Sequence, residues 1–120
     1  MKYMLLIYGN EDRWASFGVE EFAEIVRQTD ALNQALFESG ELVGAYGVAD
    51  QADAKVLRVA GDVPAVTDGP YVETKEYLGS FTIVDCDSEE RALEIAAMNP
   101  AARYVGVEVR ALLHEANVSM

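Results

Sequence analysis

The chain has 120 residues, of which 51% are hydrophobic and 25% charged, and 21 acidic against 9 basic side chains give a formal net charge of -12. One domain is expected, spanning residues 1–120, with room for a single core. So acidic a surface argues against direct contact with nucleic acid or an anionic membrane, both of which attract Lys and Arg.

In chain order, residues 3–8 form a short aliphatic and aromatic run ending at Gly9-Asn10, which predicts a strand covered on both faces. Residues 10–17 read as a loop carrying Trp14. Across residues 18–39, Phe22, Ile25, Val26, Leu32 and Leu36 recur at helical spacing, with Thr29 in the gap. Glu20 and Glu21 suit the first turn and Gly40 the stop, so an amphipathic helix is predicted. A second strand follows over residues 41–48, then a polar turn at 50–53. Residues 55–60 alternate as a third strand that turns at Gly61-Asp62.

Residues 63–67 lead into the turn Asp68-Gly69-Pro70, and residues 77–85 make a long strand, so 68–81 reads as a charged hairpin. Asp87 and Glu90 have capping-box spacing for a second helix ending at Asn99-Pro100. The last strand covers residues 105–112. The order β-α-β-β-(hairpin)-β-α-β predicts an α+β, ferredoxin-like split βαβ fold with an inserted hairpin.

Both helices of that fold cover one sheet face. Alternation predicts that Val105, Val107, Val109 and Phe81 lie under them. Ser80, Thr82, Glu108 and Arg110 would then share the open face with apolar residues of the first strand. A face so mixed suits neither bare solvent nor a core. A second copy laid against it would enclose a small cavity, giving a homodimeric α/β barrel; the competing explanation is a monomer whose open face is wet.

Three stretches have a recognisable order: Met1-Lys2-Tyr3-Met4-Leu5-Leu6-Ile7-Tyr8-Gly9, Asp68-Gly69-Pro70-Tyr71-Val72-Glu73-Thr74-Lys75-Glu76 with Leu78-Gly79, and Val107-Glu108-Val109-Arg110. Together they resemble the YCII-related family, DGPF type, over almost the whole chain. Tyr71 stands where the name-giving pattern has phenylalanine. The resemblance implies a dimeric α/β barrel of ferredoxin-like subunits, without an assigned reaction. It also implies a link, in some relatives, to sigma factors of the extracytoplasmic-function class. Other YCII-related proteins pair a helix histidine with an aspartate, whereas this chain has Arg27, Gln28, Thr29 and Asp30 there. Its one histidine, His114, follows the last strand, so that pair does not carry over.

Each candidate site residue has two readings. Asp68 either caps its turn or acts as a general base favoured by partial burial. Glu73 and Lys75 are a solvated strand edge, or a pair whose lysine binds an anion or stabilises an enolate. Glu108 and Arg110 form a structural ion pair, or a proton acceptor beside a carboxylate anchor. Tyr8 is packing or a phenolic donor.

Cys86 is the single cysteine, expected as a buried thiol near a strand end, and no cofactor or metal motif is present. The amino terminus has no signal-peptide pattern, so a cytoplasmic location is expected. Two functions remain open. One is a cofactor-independent, enzyme-like protein that performs proton transfer or elimination on a small aromatic or carboxylated molecule. The alternative is a non-catalytic ligand-binding or regulatory module with a protein partner, linked to sigma-factor signalling.

Overall fold

The structure, a computed structural model, describes residues 1–116. Its elements run β1 (Lys2–Gly9), α1 (Glu11–Ala15), α2 (Val19–Ser39), β2 (Leu42–Gly47), β3 (Lys55–Ala60), β4 (Val63–Asp68), β5 (Tyr77–Asp85), α3 (Glu89–Met98) and β6 (Val107–Ala111). Four strands pair antiparallel in the order β2-β5-β1-β6. Each long helix therefore joins two strands separated by a third, which is the split βαβ arrangement of the ferredoxin-like fold. Strands β3 and β4 form a separate two-stranded sheet. Among the described residues no helix is long and apolar enough to cross a membrane.

Local chemistry sets the helix ends. The Glu21 carboxylate accepts from the Gly18 N–H at the start of α2. Gly40, at φ 81°, supplies the left-handed residue at its end, where the Glu41 N–H returns to the Leu36 carbonyl. The cap of α3 is Ser88, one residue after the expected Asp87, because the extended backbone at 88 presents its hydroxyl to the Arg91 N–H. Residues 11–15, expected in a loop, form a short helix capped by the Asn10 side chain. So few residues are too short a window for helical periodicity to show.

The core lies between the helices and one sheet face. Tyr3, Leu5, Val84 and Cys86 meet Leu36 of α2 and Ala92, Ile95 and Ala96 of α3. The alanines let α3 approach the strands closely, and Ile95 and Val84 are fully buried. Full burial of one such aliphatic side chain contributes about 2 kcal/mol. Arg91 ties α3 to the start of β2, donating to both Glu41 carboxylate oxygens at 2.9 Å.

Register corrects the predicted faces of β5. Residues directly opposite in an antiparallel pair share a face. Tyr3 stands opposite Val84, Leu5 opposite Thr82 and Ile7 opposite Ser80, so Ser80, Thr82 and Val84 lie under the helices. Phe81 and Ile83 turn to the open face, opposite Leu6 and Met4. Polarity misled the expectation: β5 alternates between two sets, each holding apolar residues, and only pairing with β1 decides between them. The valines of β6 do lie on the helix side, with Val109 opposite Leu5 and Val107 opposite Ile7.

The inserted hairpin is also earlier than predicted. It comprises β3 and β4, closed by Gly61 and Asp62 at φ 55° and 66°, the paired positive values of a type I′ turn. Asp68 ends this ribbon opposite Lys55. Residues 69–76 then return to β5 without regular structure, so 68–81 is not a hairpin. Pro70 has no N–H for a ladder, and Gly69 at φ 93° turns the chain away.

Candidate functional site

The open face of the sheet carries a graded surface. Across it run Tyr46, Phe81, Leu6 and Glu108, each opposite the next on neighbouring strands. The adjacent row is Gly44, Ile83, Met4 and Arg110. Tyr46 and Phe81 pack at a tilt of 35° with ring centroids 5.3 Å apart. The Tyr46 ring folds back over Gly44, where a Cβ would stand 2.5 Å from its hydroxyl. An apolar, aromatic floor therefore grades into charge at β6.

At that charged end Arg110 Nε lies 2.9 Å from Glu108 Oε1, with the arginine side chain 71% exposed. Tyr8, on the same face of β1, completes the group. Its ionisation is held above the ordinary tyrosine value of 10.0, first by burial, then by its hydrogen bond to Glu108 and that carboxylate's charge, with Arg110 opposing. At neutral pH Tyr8 is a phenol beside the Glu108 carboxylate. The arrangement offers a flat apolar bed, an exposed guanidinium and a neutral hydroxyl. Those are the elements that orient a planar carboxylate.

The remaining candidates lie elsewhere. Asp68 sits at the base of the β3–β4 ribbon, 85% exposed, and pairs with Lys55 Nζ. Its neighbour Gly69 donates its N–H to the Ala54 carbonyl at 2.8 Å. The Asp68 carboxylate thus accepts from a lysine across the ribbon, and it lacks the burial that favours a base. Glu73 is exposed on the irregular return, and no ion pair among the described residues includes it or Lys75. Lys75 borders a polar hollow with Asn10, Glu11, Asp12, Gln51, Thr74 and Tyr77, away from Arg110. The structure thus brings together Tyr8, Glu108 and Arg110, and sets Asp68, Glu73 and Lys75 apart from them.

Sequence reasoning missed two features. A hollow of about 560 Å³ at the far end of the open face is lined by Lys2, Ile83, Asp85, Leu113 and His114, among others. The carboxyl-terminal segment borders it because Leu112 donates its N–H to the Lys2 carbonyl and Lys2 Nζ bonds Glu115 at 2.7 Å. Second, only the later half of the α2 stripe is covered. Phe22 and Val26 are 52% and 43% exposed, and with Trp14 and Ile25 they line an apolar groove. Helical spacing marks such a stripe but not what packs on it. Among the described residues, no group of three or more His, Cys, Asp or Glu side chains is placed to hold a metal ion.

The model of the YCII-related domain matches residues 1–115. The chain belongs to the YCII-related family. An uncharacterized protein of Rhizobium meliloti (strain 1021) is 32% identical over 96 residues, covering 80% of this chain and 77% of that protein. Family membership brings no reaction with it.

Proposed function

We propose that this YCII-related protein binds a small aromatic carboxylate on its open sheet face, in a chamber closed by a second copy, and moves a proton on it without a cofactor. The carrying observation is the Tyr46–Phe81–Leu6 floor running into the Tyr8–Glu108–Arg110 group. The ligand ring lies on the floor and its carboxylate meets the Arg110 guanidinium, which favours a two-pronged contact. The incoming carboxylate competes with Glu108 for Arg110. Glu108, released in a chamber from which water is displaced, takes the proton-accepting role for which Asp68 is the candidate from sequence. Tyr8 donates to the oxygen on which charge develops. The dimeric barrel supplies the roof that an open sheet lacks.

Calorimetric titration with benzoate tests the reading on the wild type, Arg110→Met and Tyr8→Phe. Arg110→Met should weaken binding at least about tenfold, the scale of a lost charge-assisted hydrogen bond, with an unchanged circular dichroism spectrum. Equal affinity in the wild type and Arg110→Met would remove the proposal.

A second reading, a regulatory module docking a basic partner protein, draws on the helix side. There α2 carries Glu20, Glu21, Glu24, Asp30 and Glu38 against Arg27 alone. Salt-sensitive capture of a stoichiometric partner, including one of the sigma-factor class, by wild type and not by a Glu20→Lys, Glu24→Lys variant would favour it.

A further inference from the structure

The β3–β4 ribbon is almost uncovered. Every residue of β4 is exposed, as are all of β3 except Val56, and Leu57, Val59, Val63 and Val66 are 62–65% exposed. A two-stranded ribbon without a third element is marginal in water, and apolar edges in the open invite pairing. The ribbon stands out from the body: the radius of gyration is 16.8 Å, where a compact chain of this length has roughly 13.5 Å.

Its two faces differ. One holds Leu57, Val59, Pro64 and Val66, with the Lys55–Asp68 pair at its base. On the other, Arg58 lies 5.3 Å from the centre of the Tyr71 ring, so the returning loop already leans against that side. Among the described residues, Leu57, Val59 and Val66 on the first face stay open.

We infer that this arm lies along a second copy of the chain, each copy clasping the other and closing the rim of the chamber. The inference rests on the two-copy reading of the open face given above.

Charge selects the occupant. Residues 55–68 contain Lys55 and Arg58 against Asp62 and Asp68, a net charge of zero, so the whole formal charge of -12 belongs to the rest of the chain. The open face is likewise balanced, with Arg110 against Glu108, Lys2 against Glu115 and the amino terminus against Asp85. Two copies repel least where these surfaces meet.

Area points the same way. Four strands at about 4.8 Å spacing and about 20 Å length present roughly 400 Å² of plane, half of the about 800 Å² per partner in a standard stable interface. An arm face adds about 200 Å² given and, by two-fold symmetry, about 200 Å² received.

The test combines sedimentation with hydrogen exchange on the wild type and on a Leu57→Asp, Val66→Asp variant. Wild type should sediment as a dimer, and amides 55–68 should exchange more slowly in the dimer than after dilution below its Kd. The variant should raise that Kd at least about a hundredfold, from the loss of two buried aliphatic side chains, with its helical circular dichroism intact. A wild-type dimer whose arm amides exchange equally fast above and below Kd overturns the arm and leaves the open-face chamber standing. A wild-type monomer at micromolar concentration overturns both, and leaves the arm free for a different protein. Should the variant fail to fold, the wild-type exchange comparison decides alone.

Discussion

The helix-covered face of the sheet and the β3–β4 arm are built from similar residues and have opposite fates. Under the helices, Leu5, Val84 and Ile95 are at most 4% exposed, while Leu57, Val59 and Val66 of the arm are 62–63% exposed. Both regions satisfy strand pairing, and both turn on local signals that any sequence reader finds. The difference is a third layer. Two helices cross the sheet, each tied by caps and α3 also by the Arg91–Glu41 clamp, whereas among the described residues no helix covers the arm. Alternation of apolar residues therefore marks surfaces that need cover, without saying whether the same chain provides it.

The largest contrast is expected from deleting side chains in the two regions. Ile95→Ala should cost about 2–5 kcal/mol in urea denaturation, since it leaves a cavity beneath α3. Leu57→Ala, measured at concentrations where the protein is monomeric, should change stability by less than about 0.5 kcal/mol. A loss above that for Leu57 would mean that the arm packs on its own body, and the contrast would fail.

A middle-sized effect concerns the clamp. Hydrogen bonding from Arg91 is the main cause holding the Glu41 carboxyl below its ordinary value of 4.5. A carboxyl depressed in the folded state adds stability that is present above its unfolded value and lost as pH falls through the folded one. The wild type should therefore exceed Glu41→Gln in urea midpoint at pH 7, and the gap should narrow on going from pH 5 to pH 3. A constant gap would sever the clamp from the pH response.

The smallest effect belongs to the arm. Lys55 and Asp68 are exposed, so Asp68→Asn should shift thermal unfolding by no more than about 0.5 kcal/mol. If Asp68→Asn instead abolished a turnover that survived Glu108→Gln, the proton-accepting role would return to Asp68.

Much of this was legible in the residues. Helical spacing in residues 18–39, the Gly40 stop and the Asn99-Pro100 end correspond to α2 and α3 within a residue or two. The split βαβ order emerged from element sequence alone. The site was half legible: alternation along residues 107–111 puts Glu108 and Arg110 on one face. That Tyr8 joins them, and that Phe81 and Tyr46 floor the same surface, depends on register between strands far apart in the chain. The charged residues around Asp68 did not converge on the Tyr8 group, because they fall at the foot of the arm and on the loop beyond it.

By itself, the sequence determined the two long helices, the strands of the main sheet, their order and the acidic balance, because caps, turns and periodicity act within a few residues. The tertiary structure alone decided which face of β5 is buried, which charges meet, and that the arm stands without cover. Those outcomes rest on pairing between distant strands, where a shift of one residue moves every side chain to the other face.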